Sequence, residues 1–124
     1  VGVAAAKKIA AWMGKNIRYA DYCNFSRSAK TVLQRGSGNC CDQTRCMLEL
    51  MDAAGCANEI TMQYIFVCCS SGGVGHVFAK ITTKETKNWR YVDPCKASPW
   101  GNYVRGWGSP SNPRKIRDYP TTPF

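Results

Sequence analysis

The chain has one histidine, few acidic residues and no long apolar run. Each shortage narrows what it can be. No run of about 18 apolar residues occurs, so neither a bilayer-spanning helix nor a membrane partner is expected. A single histidine, His76, removes the zinc sets that use two, and no Cys-x-x-Cys pair is present to build one from thiolates. No EF-hand spacing is found; a structural calcium held by loop carbonyls and an aspartate would leave no mark in a sequence. Internal repeats and low-complexity stretches are missing too. That leaves residues 1–124 as one expected domain, long enough for a core of its own. The chain opens on Val1, as a fragment or processed piece of a longer protein would. Lysines interrupt VGVAAAKKIAAWMGKNIRYA, which reads as an amphipathic helix rather than a signal peptide.

What is abundant is positive charge and cysteine. Lys and Arg number 17 against 8 acidic residues, a net charge of +9. Such a surface favours polyanions: nucleic acid, anionic lipid or an acidic polysaccharide. Eight cysteines stand at 23, 40, 41, 46, 56, 68, 69 and 95. Disulfide frameworks mostly serve small secreted domains, and several of these residues lie inside apolar runs (CMLELM, YIFVCC), where a thiol acts as a small hydrophobe. Free, reduced thiols are expected.

Apolar positions Val3, Ala6, Ile9, Ala10, Met13 and Ile17 predict a first helix, and residues 28–34 a short second. After the breaker RGSGN, Asn39 is a candidate cap for a helix from Cys40 to Ala54, ended by Gly55. Glu59–Cys69, His76–Thr82 and Trp89–Asp93 read as strands. The Pro/Gly-rich tail, with Trp100, Tyr103 and Trp107, reads as an ordered wrap over the core. Helices first and an antiparallel sheet second make the class α+β.

A thiol in the first turn of a helix meets the positive end of the dipole and unpaired amides, which favour thiolate. Cys40 and Cys41 share that field, so position alone does not choose between them. The lone histidine opens a strand behind a glycine-rich loop. If that strand and the next form a hairpin turning at Lys84 and Glu85, opposed residues sum to 169. His76 then faces Asp93, Phe78 faces Tyr91, Lys80 faces Trp89 and Val77 faces Val92. Opposed side chains lie about 4.5–5.5 Å apart at Cβ, which gives a base and its orienting carboxylate.

GNCCDQTRCMLELMDAAG resembles the cysteine motif of the transglutaminase-like superfamily, while GHVFAKI and NWRYVDPC resemble its histidine and aspartate strands. With YADYCNF and YPTTPF, the chain is most similar to the pseudomurein endoisopeptidases of methanogen viruses and prophages. That resemblance implies a transglutaminase-like (papain-like) fold with the nucleophile at a helix N-terminus packed on the sheet. It selects Cys40 as nucleophile over Cys41, with His76 as base and Asp93 as its orienter. It implies hydrolysis of the alanine–lysine isopeptide cross-link of pseudomurein, an acidic wall polymer, by an enzyme made in the cytoplasm of an archaeal host and acting on the wall at lysis. The family's wall-binding repeats are absent from the chain. Thiol acyl transfer needs no cofactor or metal, and the expected partner is the wall polymer, with no nucleic acid and a monomeric enzyme. Oxyanion donors are expected from the backbone of Cys40 or Cys41 and the side chains of Asn39 or Gln43; Tyr22, Asn24 and Trp100 are candidate substrate contacts. The competing readings are an amine-transferring transglutaminase and a basic, non-catalytic module for wall polymer or nucleic acid.

Overall fold

The structure is a computed structural model that describes residues 2–68, 75–101 and 113–124. In chain order these form helix α1 (Gly2–Asn16), strand β1 (Arg18–Tyr19), α2 (Ala29–Arg35), β2 (Ser37–Gly38), α3 (Cys40–Ala53), a 3-10 turn (Cys56–Asn58), β3 (Ile60–Val67), β4 (His76–Thr83), β5 (Trp89–Val92) and β6 (Lys115–Asp118). The last four make one antiparallel sheet in the order β5-β4-β3-β6, while β1 and β2 pair in parallel beside it. Helices precede the main sheet, which is the α+β arrangement expected.

Helix boundaries follow local chemistry. Ser28 caps α2 by accepting the Thr31 amide, and Gly36 closes it in the left-handed region at φ 67°. Asn39 accepts the Asp42 amide and so fixes where α3 starts. One face of α1 (Ala6, Ala10, Met13) and one of α3 (Met47, Leu48, Met51) are buried against Ile60, Met62, Tyr64, Val77, Ala79, Ile81 and Val92 of the sheet. Alternate strand residues Ile65, Val67 and Phe78 are also buried and form a second apolar cluster with Tyr91 on the opposite face.

The β4–β5 register differs from the expected one. Ala79 pairs with Val92, Lys80 with Tyr91 and Thr82 with Trp89, so opposed residues sum to 171. The connection is longer than a tight turn: Thr83 and Asn88 bracket it, the Lys87 amide donates to Thr83 O at 2.9 Å, and Lys87 sits at φ 63°. KETK lacks the Asn-Gly or Asp-Gly pair that a two-residue hairpin needs, so the loop widens and the register moves by two. A two-residue shift keeps every side chain on its face. Phe78 and Tyr91 still meet, edge to face with centroids 5.4 Å apart, and Lys80 still lies over the Trp89 ring at 4.6 Å.

Lys115–Asp118, part of the basic stretch PRKIRDY, is a strand that pairs with β3 and completes the sheet. Trp100 bridges to Val92. Cys69, Tyr103, Trp107 and loop residues 70–74 lie outside the described residues. Cys23, Cys40, Cys41, Cys46, Cys56 and Cys95 are free thiols, but Cys68 is disulfide-bonded, which corrects the expectation of reduced thiols throughout.

Candidate active site

Cys40 occupies the first position of α3, with the Cys40 and Cys41 amides pointing out of the helix and without an acceptor among the described residues. His76 begins β4, whose neighbour Val77 packs into the core on the α3 side. Gly75 permits this placement: a Cβ there would come within 2.5 Å of the Phe66 ring. Asp93 follows the end of β5 and is fully buried. Its formal partner in the extended ladder is Phe78, so it reaches His76 along the diagonal rather than straight across. His76 Nε2 and Asp93 Oδ2 are 2.8 Å apart. The second carboxylate oxygen accepts the Cys95 amide at 3.0 Å, and the Asp93 amide donates to Pro99 O at 3.1 Å.

The imidazole and the Cys40 thiol line the same cleft and favour each other's charged form. Cys40 and His76 thus share one cleft, with Asp93 bonded behind the imidazole. Cys40 is drawn down to about 5, first by a hydrogen bond from the Cys41 thiol and, against the opposing effect of burial, by the bond to His76, its positive charge and the Val77 amide. Burial alone would lower His76, but Asp93 and Cys40 outweigh it and hold the imidazole up at about 9. Between those values the pair rests as thiolate and imidazolium, the reactive form of a cysteine nucleophile. Cys41, which donates to its neighbour, is pushed strongly up. The asymmetry separates two adjacent thiols that share one helix dipole.

The expected side-chain oxyanion donors are engaged elsewhere. Both amide hydrogens of Asn39 go to the carbonyls of Tyr22 and Asn24, at 3.0 and 2.8 Å. Both of Gln43 go to Gly38 and Arg18, at 2.8 and 3.3 Å. Each side chain faces backbone behind the helix start, so these two expectations are corrected to structural roles. Tyr22 and Asn24 line the cleft that contains Cys40, Cys41 and His76, together with Tyr19, Phe66 and Phe124. Its volume is about 350 Å³. Trp100 is elsewhere: its bridge to Val92 turns it toward Val3, Lys7 and Arg90, with Lys7 Nζ 5.6 Å from the ring, so it does not line the thiol cleft.

Sequence reasoning missed Asp42. Its fully buried carboxylate accepts the Tyr22 hydroxyl at 2.5 Å, the Ser26 and Arg27 amides at 3.0 and 2.7 Å, and an Arg45 guanidinium hydrogen at 3.2 Å. One side chain therefore ties the loop over the cleft to the helix that carries Cys40. An acidic residue three positions after a cap was the available signal, but capping already accounts for it. Among the described residues, no group of three or more His, Cys, Asp or Glu could hold a metal ion, and no helix is long and apolar enough to cross a membrane.

The thiol at the start of α3, the strand histidine and its buried carboxylate are set in an α+β frame of helices followed by an antiparallel sheet. Residues 2–94 match the model of the transglutaminase-like superfamily, and the chain belongs to that superfamily. No curated protein matches the chain. Among solved structures it is similar to a protein from Cytophaga hutchinsonii provisionally assigned as a cysteine protease, with a TM-score of 0.54 and 19% identity. The match covers 77% of this chain and 32% of that one, so the chain spans about a third of the length of its solved relative. The likeness is one of fold.

Proposed function

We propose that this domain is a cysteine peptidase that hydrolyses the isopeptide cross-link of pseudomurein, between an alanine carbonyl and the side-chain amine of lysine. The observation that carries the reading is the His76–Asp93 pair, 2.8 Å apart, with Cys40 and His76 lining the same open cleft. The thiolate attacks the carbonyl carbon and forms a tetrahedral oxyanion. His76 gives its proton to the lysine nitrogen as the carbon–nitrogen bond breaks, leaving a thioester on Cys40. Water, deprotonated by His76, then releases the alanine carboxylate. Asp93 holds the ring and stabilises imidazolium throughout. Each well-placed oxyanion donor supplies about 3–4 kcal/mol. The net charge of +9 suits a wall polymer bearing carboxylates, and action on the wall at host lysis follows from that substrate.

Purified pseudomurein incubated with wild type, Cys40→Ala and Cys41→Ala tests the reading through the release of free lysine amines. Wild type and Cys41→Ala release them, while Cys40→Ala does not and stays folded. Equal loss in both variants would sink the assignment. Adding a primary amine distinguishes hydrolysis from transfer: a carboxylate product supports the peptidase reading, and incorporated amine supports a transglutaminase.

A further inference from the structure

The charge of the thiol cleft is opposite to that of the chain as a whole. Lys and Arg number 17, yet among the described residues none of them lines the cleft, and its one carboxylate side chain is Asp21. Two cations that stack on its aromatic walls are bonded to the chain itself. Arg27 lies over the Tyr22 ring at 4.5 Å and donates to Ser37, while Lys115 lies over the Phe124 ring at 5.3 Å and donates to Pro123 O at 3.0 Å. Asp21 is exposed and has no hydrogen bond or ion pair among the described residues.

Backbone bonds hold this carboxylate beside the start of α3. On one side of it the Ala20 amide donates to Gly38 O at 3.0 Å. On the other, Tyr22 O accepts from Asn39 Nδ2 at 3.0 Å, and the Tyr22 hydroxyl accepts the Asn39 amide at 3.1 Å. Gly38 and Asn39 are the two residues that precede Cys40, so the chain is clamped on both sides of Asp21 to the segment that delivers the thiol. The charges of Cys40 and Asp21 both reach Tyr19: its phenol is pushed up to about 12 by burial first, then by Cys40, Cys95, Asp21 and Cys41. The rings of Tyr19, Tyr22, Phe66 and Phe124 line the same cleft. Such rings attract a cation through their faces and cover the methylenes of a long basic side chain. A free carboxylate among aromatic walls, with no cation competing inside the cleft, suits an alkylammonium and repels an anion.

We propose that the cleft is selective for a primary alkylammonium, with Asp21 pairing with its charge and the aromatic walls covering its methylenes. Under the peptidase reading, on which the identity of the ligand rests, that group is the lysine side chain being released. The leaving nitrogen takes one proton from His76 as its bond to the carbonyl carbon breaks. A free lysine amine has a pKa of about 10.4, so it takes a second proton from water and lies in the cleft as ammonium wherever the thiolate exists. The +9 surface gathers a carboxylate-bearing polymer, while Asp21 selects a cationic group at the point of cleavage. Asp21 takes no part in making or breaking bonds.

Small amines test this without the polymer. Iodoacetamide labelling of Cys40, mapped by mass spectrometry, is followed in the presence of pentylammonium or of 1-pentanol, which has the same chain and no charge. Pentylammonium is expected to protect Cys40 at a concentration about fivefold lower than pentanol, the gain of one partly exposed ion pair. Asp21→Asn is expected to bring the two together, and Asp21→Lys to make hexanoate a better protector than pentylammonium. Equal protection by pentylammonium and pentanol in the wild type overturns the subsite, as does an ammonium preference that Asp21→Asn leaves in place. A preference that Asp21→Asn removes supports the subsite even where pseudomurein is left uncut, a result that sinks the polymer reading alone.

Discussion

At the scale of single residues, the decisive feature is that two neighbouring thiols in one helix turn are pushed in opposite directions. Cys40 loses its proton readily because Cys41, His76 and the Val77 amide all bond to the sulfur. Alkylation of Cys40 by iodoacetamide is therefore expected to switch on near pH 5 instead of near the ordinary thiol value of 9.0. Hydrolysis should rise through about 5 as the thiol ionises and fall through about 9 as His76 loses the proton that the leaving amine needs. These two limits belong to the coupled pair. Cys41→Ala removes one donor and should move the lower limit upward, while Cys41→Ser, which retains a donor, should move it less; identical profiles for the two would show that the Cys41 thiol contributes nothing. Asp42→Asn weakens four hydrogen bonds at a fully buried carboxylate. Its expected cost is about 3 kcal/mol, near the lower bound for breaking a buried charge pair, measured as a fall in the urea midpoint. Sequence alone could nominate Cys40, His76 and Asp93 by residue type and order. It could not show that the amides of Asn39 and Gln43 turn away from the sulfur, because that depends on carbonyls of Arg18, Tyr22 and Asn24 far back along the chain.

At the scale of elements, the orienting carboxylate depends on a short segment packed against α1. Gly14 makes that packing possible: a Cβ there would lie 2.4 Å from Lys96 O and 2.7 Å from Pro99 Cγ. Helix propensity alone would make Gly14→Ala stabilising by about 1 kcal/mol. The backbone clash reverses the sign, and the expected result is a loss of about 1–3 kcal/mol, typical of overpacking. Because Pro99 O holds the Asp93 amide, the His76 limb of the pH profile should shift as well. A stabilised variant with an unchanged profile would show that the segment yields freely. The hairpin teaches a related lesson. Alternation along β4 and β5 fixed which side chains share a face, but turn chemistry set the register, and KETK carries no strong turn signature. The expected face survived a register error of two residues. His76 and Asp93 still met, because a diagonal gap is within reach of an imidazole and a carboxylate.

At the scale of the whole molecule, the proposed acidic polymer substrate would be bound by a +9 domain partly through charge. Retention of the Cys40→Ala variant on purified pseudomurein is expected to fall as salt rises from about 0.1 M, where the Debye length is about 10 Å, to about 1 M, where it is about 3 Å. Retention that ignores salt would assign recognition to the cleft alone. The sequence by itself determined the helices, the cap that starts α3, the strand faces and the thiol, imidazole and carboxylate types, because caps, periodicity and residue chemistry act over a few neighbours. Tertiary structure alone decided that two adjacent thiols are pushed in opposite directions, that Trp100 faces away from the cleft, that β6 closes the sheet beside β3, and that Asp42 and Gln43 brace the segments around Cys40. Each of those outcomes depends on contacts between groups remote along the chain, and short-range patterns carry no record of where such groups meet.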